Sequence, residues 1–179
     1  QMKVGRLLWI AGHSGPETAE DSRTHFGIFA PGVTQLFPDG HIINLHPWEH
    51  NEVAPALASA LQTDIPIIAI HLTRPPVEIP DRKALGMASY YDASKGAYLI
   101  KNYDSNKEKE GIIIVRGTSS TNSIVQILPR LKEDGPNVKV VAAISWEIFQ
   151  RQPKSYRNAI ISKHEWQDAM VITNGALML

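Results

Sequence analysis

The chain has 179 residues, enough for one ordinary domain or two small ones. Hydrophobic residues at 43% against 20% charged give a globular balance, not a disordered one. The 18 basic side chains equal the 18 acidic ones, so the basic excess of a nucleic-acid binder is missing, and the lack of cysteine removes disulfides, thiolate metal sites and cysteine nucleophiles.

The missing thiols fit a cytoplasmic setting. No apolar run approaches the roughly 20 residues that span a bilayer, so no membrane partner is expected. The opening residues carry no signal-peptide pattern. Gln1 is no initiator, and Leu179 closes the sequence inside an apolar stretch, so a piece of a longer protein is expected.

The first element expected is a buried parallel strand over residues 5–11, where Leu7-Leu8-Trp9-Ile10 runs up to Gly12. Residues 12–40 hold five glycines and three prolines with few periodic apolar positions, which reads as a long functional loop. A second strand follows at 41–45. Pro47 then suits the first turn of a helix reaching about residue 62, with Val53, Leu57, Ala60 and Leu61 on one face. A third strand at 65–72 is broken by Arg74-Pro75-Pro76.

Residues 77–94 read as a linker between a unit at 1–76 and a second at 95–179. Beyond it come strands at 97–101 and 111–116, a helix at 120–132 with a soft spot at Leu128-Pro129, and a strand at 138–144. A helical turn at 146–150 and a strand at 169–173 complete the series. Strand–helix–strand alternation on both sides of the linker implies two α/β units with mostly parallel sheets.

Four residues carry the chemistry. His13, Asp21 and His25 crowd into the loop after the first strand, in Ala11-Gly12-His13-Ser14 and Glu20-Asp21-Ser22-Arg23-Thr24-His25. Arg74 ends the third apolar run in Leu72-Thr73-Arg74. Ligands of open α/β sheets collect beyond the carboxyl ends of strands, which is where His13 and Arg74 fall. Arginine offers a planar fork for phosphate oxygens, histidine a donor that changes charge near neutral pH, and an aspartate can read sugar hydroxyls.

Their order and spacing resemble the active-site loop of the transketolase family. There a His, a Gly-Glu-Asp-Gly-Pro-Thr-His string and a downstream Ser-Arg grip a sugar phosphate. The interval from His13 to Glu20 equals the family's, Thr24-His25 falls in register, Pro47 matches a Pro before a helix, and Thr73-Arg74 matches the Ser-Arg. The stretch from Gly96-Ala97-Tyr98 through Gly117-Thr118-Ser119 to Val138-Lys139-Val140 resembles the family's C-terminal domain.

The resemblance implies that 1–76 is the second half of a pyrimidine-binding domain and 95–179 an incomplete C-terminal domain. It implies that His13 and Arg74 contact the substrate phosphate, that Asp21 reads a hydroxyl, and that His25 lies near the reacting carbons and the cofactor's aminopyrimidine. The catalytic set is then His25, Asp21 and His13, serving two-carbon ketol transfer between sugar phosphates through thiamine diphosphate and Mg²⁺. The same likeness implies a homodimer of the full-length protein.

Ser22-Arg23 stands where the family has Gly-Pro, and Phe26-Gly27 where it has Gln-Pro. A deoxyxylulose-phosphate synthase, a 2-oxo acid dehydrogenase E1 component and a non-catalytic assembly module are the alternatives. No Gly-Asp-Gly with an Asn at diphosphate–metal spacing occurs, so cofactor and metal sites are expected to be largely absent from this stretch.

Two further strings compete. His46-Pro47-Trp48-Glu49-His50 has the inverted zincin spacing, but Pro47 places His46 at a cap position and off the helix face, so a polar helix start is the simpler reading. Gly117-Thr118-Ser119-Ser120-Thr121 follows a strand as a nucleophile elbow would, yet lacks the last glycine and reads better as a helix cap. Trp146, Phe149 and Trp166 read as packing residues.

Overall fold

The computed structural model describes residues 5–12, 29–74 and 76–174. Strands β1 (Leu7–Ala11), β2 (Ile42–Leu45) and β3 (Ile67–His71) form one parallel sheet in the order β1-β3-β2. Strands β4 (Ala97–Lys101), β5 (Ile112–Arg116), β6 (Lys139–Ala143) and β7 (Ala169–Thr173) form a second, ordered β4-β6-β5-β7. Its two pairings among β5, β6 and β7 are parallel, whereas β4 runs antiparallel to β6 with an irregularity between Leu99 and Lys101. The mixed α/β class with mostly parallel sheets is therefore present.

Helix α1 (Phe29–Thr34) lies inside the stretch expected to be one long loop. It escapes a periodicity search because six residues, one of them proline and one glycine, are too few to show a stripe. The helix expected from Pro47 starts later. A 3-10 turn at His50–Glu52 precedes α2 (Val53–Leu61), because the Glu49 side chain accepts from the Asn51 N–H at 2.9 Å and caps the turn there.

The helix expected over 120–132 is two helices, α3 (Thr118–Gln126) and α4 (Leu128–Glu133). Pro129 falls in the first turn of α4, where its missing N–H costs nothing, but it would break a continuous helix. Helix α5 (Trp146–Gln150) begins at Ser145, whose hydroxyl accepts from the Ile148 N–H at 3.3 Å. Helix α6 (Lys154–Ile160), not foreseen, follows Pro153.

The main core joins both sheets. Ile43, Leu45 and Ile68 of the first pack in one cluster with Tyr98, Ile100, Val115 and Val140 of the second. The His46 N–H donates to the Ile144 carbonyl at 2.7 Å, tying the exit of β2 to the exit of β6. Gly96 makes the close approach possible: its φ is +83°, and a Cβ there would stand 2.4 Å from the Phe149 nitrogen and the Ser145 carbonyl.

Residues 77–94 connect the sheets and are themselves anchored. Arg82, only 9% exposed, donates through Nη2 to Glu49 at 2.9 Å and to Glu52 at 2.7 Å, and through Nη1 to the Tyr98 hydroxyl at 3.2 Å. The Tyr98 hydroxyl donates to Glu52 and accepts from the Trp48 indole N–H at 2.7 Å. Burial pushes the Glu52 carboxyl up, although the Tyr98 and Arg82 contacts pull against it. Burial, then the Glu52 charge, also raises Tyr98. A 3-10 turn, Tyr90–Lys95, closes the segment with Ser89 as its cap.

Removing the guanidinium would strand two buried carboxylates. Arg82→Ala is expected to cost about 3–5 kcal/mol, read as a lowered midpoint of urea unfolding. A midpoint within error of the parent would show that Glu49 and Glu52 do not depend on it.

Candidate functional site

Because β1, β3 and β2 are parallel, their carboxyl ends share one edge of the sheet. Ala11, the last residue of β1, pairs with His71, the last of β3, and the Leu72 N–H donates to the Ala11 carbonyl at 2.9 Å. Arg74 follows three residues later on the exposed surface of a bend. The strand leading to His13 and the strand leading to Arg74 are thus direct neighbours. His13, Asp21 and His25 themselves lie outside the described residues.

Beside this edge is a polar group that the sequence reading passed over. His71 Nε2 stands 3.1 Å from Asn44 Oδ1 and 3.2 Å from Thr34 Oγ1. Asn44 Nδ2 donates to Glu147 Oε1 at 2.8 Å, and the Ser145 hydroxyl donates to Glu147 Oε2 at 3.0 Å. With Nδ2 committed as donor, Asn44 Oδ1 must accept, which places the His71 proton on Nε2. His46 stacks flat on His71, with ring centroids 4.5 Å apart and planes 10° from parallel.

Both imidazoles are kept neutral. Burial lowers His71 from 6.5 to about 4, with the Arg116 charge adding to it. Burial, His71 and Arg116 lower His46 well below its usual value. Two signals could have exposed this group: Asn44 interrupts an otherwise apolar strand, and His71 ends another.

The competing motifs dissolve in the geometry. Glu49 binds Arg82, His46 stacks on His71 and His50 is exposed, so the three do not converge on one point. Among the described residues no group of His, Asp and Glu is placed to hold a metal ion. Gly117 has φ +91° and the Asn174 side chain stands where a Cβ would go, so this turn positions a strand-to-helix connection. Phe149 is buried, but Trp146 and Trp166 are 55% and 43% exposed, so the two indoles are not the core residues expected.

Residues 96–178 match the model of the transketolase-like C-terminal domain. A transketolase of Geobacillus stearothermophilus is 28% identical over 155 residues, covering 87% of this chain and 22% of its own length. A probable transketolase of Schizosaccharomyces pombe is 31% identical over 159 residues, covering 87% and 21%. The chain belongs to the transketolase family.

Solved structures agree. The transketolase of Pichia stipitis in complex with sedoheptulose 7-phosphate superposes with a TM-score of 0.65 at 27% identity, over 86% of this chain and 21% of that one. The Leishmania mexicana transketolase shares the fold, with a TM-score of 0.72 at 21% identity over 93% of this chain and 23% of that one. This chain therefore spans about a fifth of the length of these transketolases.

The depressed pKa values fix a pH dependence. Their stabilising effect is complete above pH 6.5 and is lost as the pH falls toward about 4, because the unfolded chain then binds protons that the folded one refuses. His71 alone is worth on the order of 3 kcal/mol over that window. Melting temperature should fall from pH 7 to pH 4 and fall less in His71→Gln. Comparing the two proteins separates the imidazole from Glu52, whose raised pKa gives the opposite slope.

Proposed function

We propose that this chain supplies the substrate-holding part of an enzyme that transfers a two-carbon ketol unit between sugar phosphates. Family membership supports the reading, and one structural observation carries it: the exit of β3 toward Arg74 lies hydrogen-bonded beside the exit of β1 toward His13. In this reading Arg74 and His13 bind the substrate phosphate, Asp21 reads a hydroxyl, and His25 lies near the reacting carbons and handles protons there. The guanidinium fork supplies orientation, which is worth most when the phosphate end is fixed far from the reacting bond. The division into a pyrimidine-domain half at 1–76 and a C-terminal domain at 95–179, a cytoplasmic setting and a homodimer of the full protein are parts of the same proposal.

Thiamine diphosphate with Mg²⁺ supplies the electron sink for such a transfer when bound. The described residues do not fit that group. A magnesium diphosphate asks for uncommitted oxygen donors. Here Glu49 and Glu52 are held by Arg82, and among the described residues no group of His, Asp and Glu is placed to hold a metal ion. No step is therefore assigned to it.

Two measurements test the proposal. In a coupled assay of the protein at its full encoded length, with xylulose 5-phosphate and ribose 5-phosphate, Arg74→Ala should raise KM about tenfold or more with a smaller change in kcat. An unchanged KM, or no ketol transfer by the parent, refutes it. Calorimetry of the 179-residue chain with thiamine diphosphate and Mg²⁺ should give no tight binding.

A further inference from the structure

A cavity of about 480 Å³ lies between the two sheets. Alternate residues of β2, namely Ile42 and Asn44, face it from the first sheet, and Ile114 and Val141 face it from the second. Its size falls within the range of small-molecule sites, and most of its wall is apolar. Trp146 and Trp166 stand beside it as an edge-to-face pair, with centroids 5.6 Å apart and planes at 89°. These are the two indoles that the core leaves exposed.

The same wall carries unlike charges. Arg116 ends β5, and Glu147 opens α5. Burial lowers the Arg116 pKa while the nearby Glu147 charge raises it, so each sits in the other's field. Glu147 takes one hydrogen bond on each oxygen, from Asn44 and Ser145, which fixes its direction and leaves a lone pair free on each. His46, also on the wall, is neutral for the reason given above and adds no charge of its own. A guanidinium and a carboxylate adjoining an aromatic, largely apolar space match a molecule with an anionic and a cationic group on neighbouring atoms and an aromatic tail.

We propose that this cavity is a binding site for an aromatic α-amino acid, with its carboxylate on Arg116, its ammonium on Glu147 and its ring against Trp146 and Trp166. The site is separate from the Arg74 edge and does not depend on the function proposed above. A plain anion would meet the Glu147 charge and a plain amine would meet Arg116, so either keeps only one of the two charge-assisted contacts that the zwitterion makes.

The test is calorimetric titration of the protein at its full encoded length with L-phenylalanine, 3-phenylpropionate and 2-phenylethylamine. Saturable binding of L-phenylalanine is expected, with both analogues at least about tenfold weaker. Arg116→Gln and Glu147→Gln should each weaken binding about tenfold or more. Should Glu147→Gln disturb α5, Trp146→Ala, on an exposed side chain, should still weaken L-phenylalanine about threefold or more. No heat of binding up to about 10 mM overturns the proposal. Equal affinity for either analogue, or parent-like affinity in Arg116→Gln and Trp146→Ala, does the same.

Discussion

The guanidinium of Arg82 is the point on which the two sheets depend. Glu49 and Glu52 stand just before α2 beside the first sheet, Tyr98 lies in β4 of the second, and Arg82 comes from the segment between them. Its planar fork is needed because oxygens of Glu49, Glu52, Tyr98 and the Ala88 carbonyl must be met at once, and the Trp48 and Tyr98 rings lie 5.4 Å and 5.3 Å from its centre. A lysine ammonium could not reproduce that geometry. Buried charge of this kind adds less to net stability than it does to uniqueness, because any slipped arrangement of the connecting segment leaves carboxylates unpaired.

A second chain of polar contacts crosses the same boundary. It runs from Thr34 through His71 and Asn44 to Glu147 and Ser145, so the strand that ends near Arg74 and the helix that opens at Ser145 share one hydrogen-bond network. Each member is fixed by the next, and the neutral state of His71 is part of that fit. The polar edge of the first sheet and the inter-sheet cavity are thereby two faces of one arrangement.

The sequence was most legible where apolar runs end at glycine or proline. Strands β1 to β7 could be placed to within a residue or two because each is a short run rich in branched residues. The direction of β4 could not, since alternating burial looks the same read either way. Helix α6 left no stripe, as Ile160 alone of its residues is buried. Arg82 reads as a solvated residue near prolines because its partners lie 30 and 33 positions away. Arg74 stood out through its motif, three residues past the end of β3. His71 and Asn44 were visible as polar interruptions, but only the folded pairing shows that they meet.

Among the described residues strand β1 pairs with β3 alone, and Leu7, Leu8 and Ile10 are 56%, 43% and 60% exposed. An outer parallel strand with branched hydrocarbon on both faces is a sticky template for any other extended chain. Handled in isolation, this polypeptide would show its colloidal behaviour there first. Solubilising substitutions therefore belong at Leu8 and Ile10, where polar side chains disturb no interior packing, and not at the buried strands β5 and β6 of the second sheet.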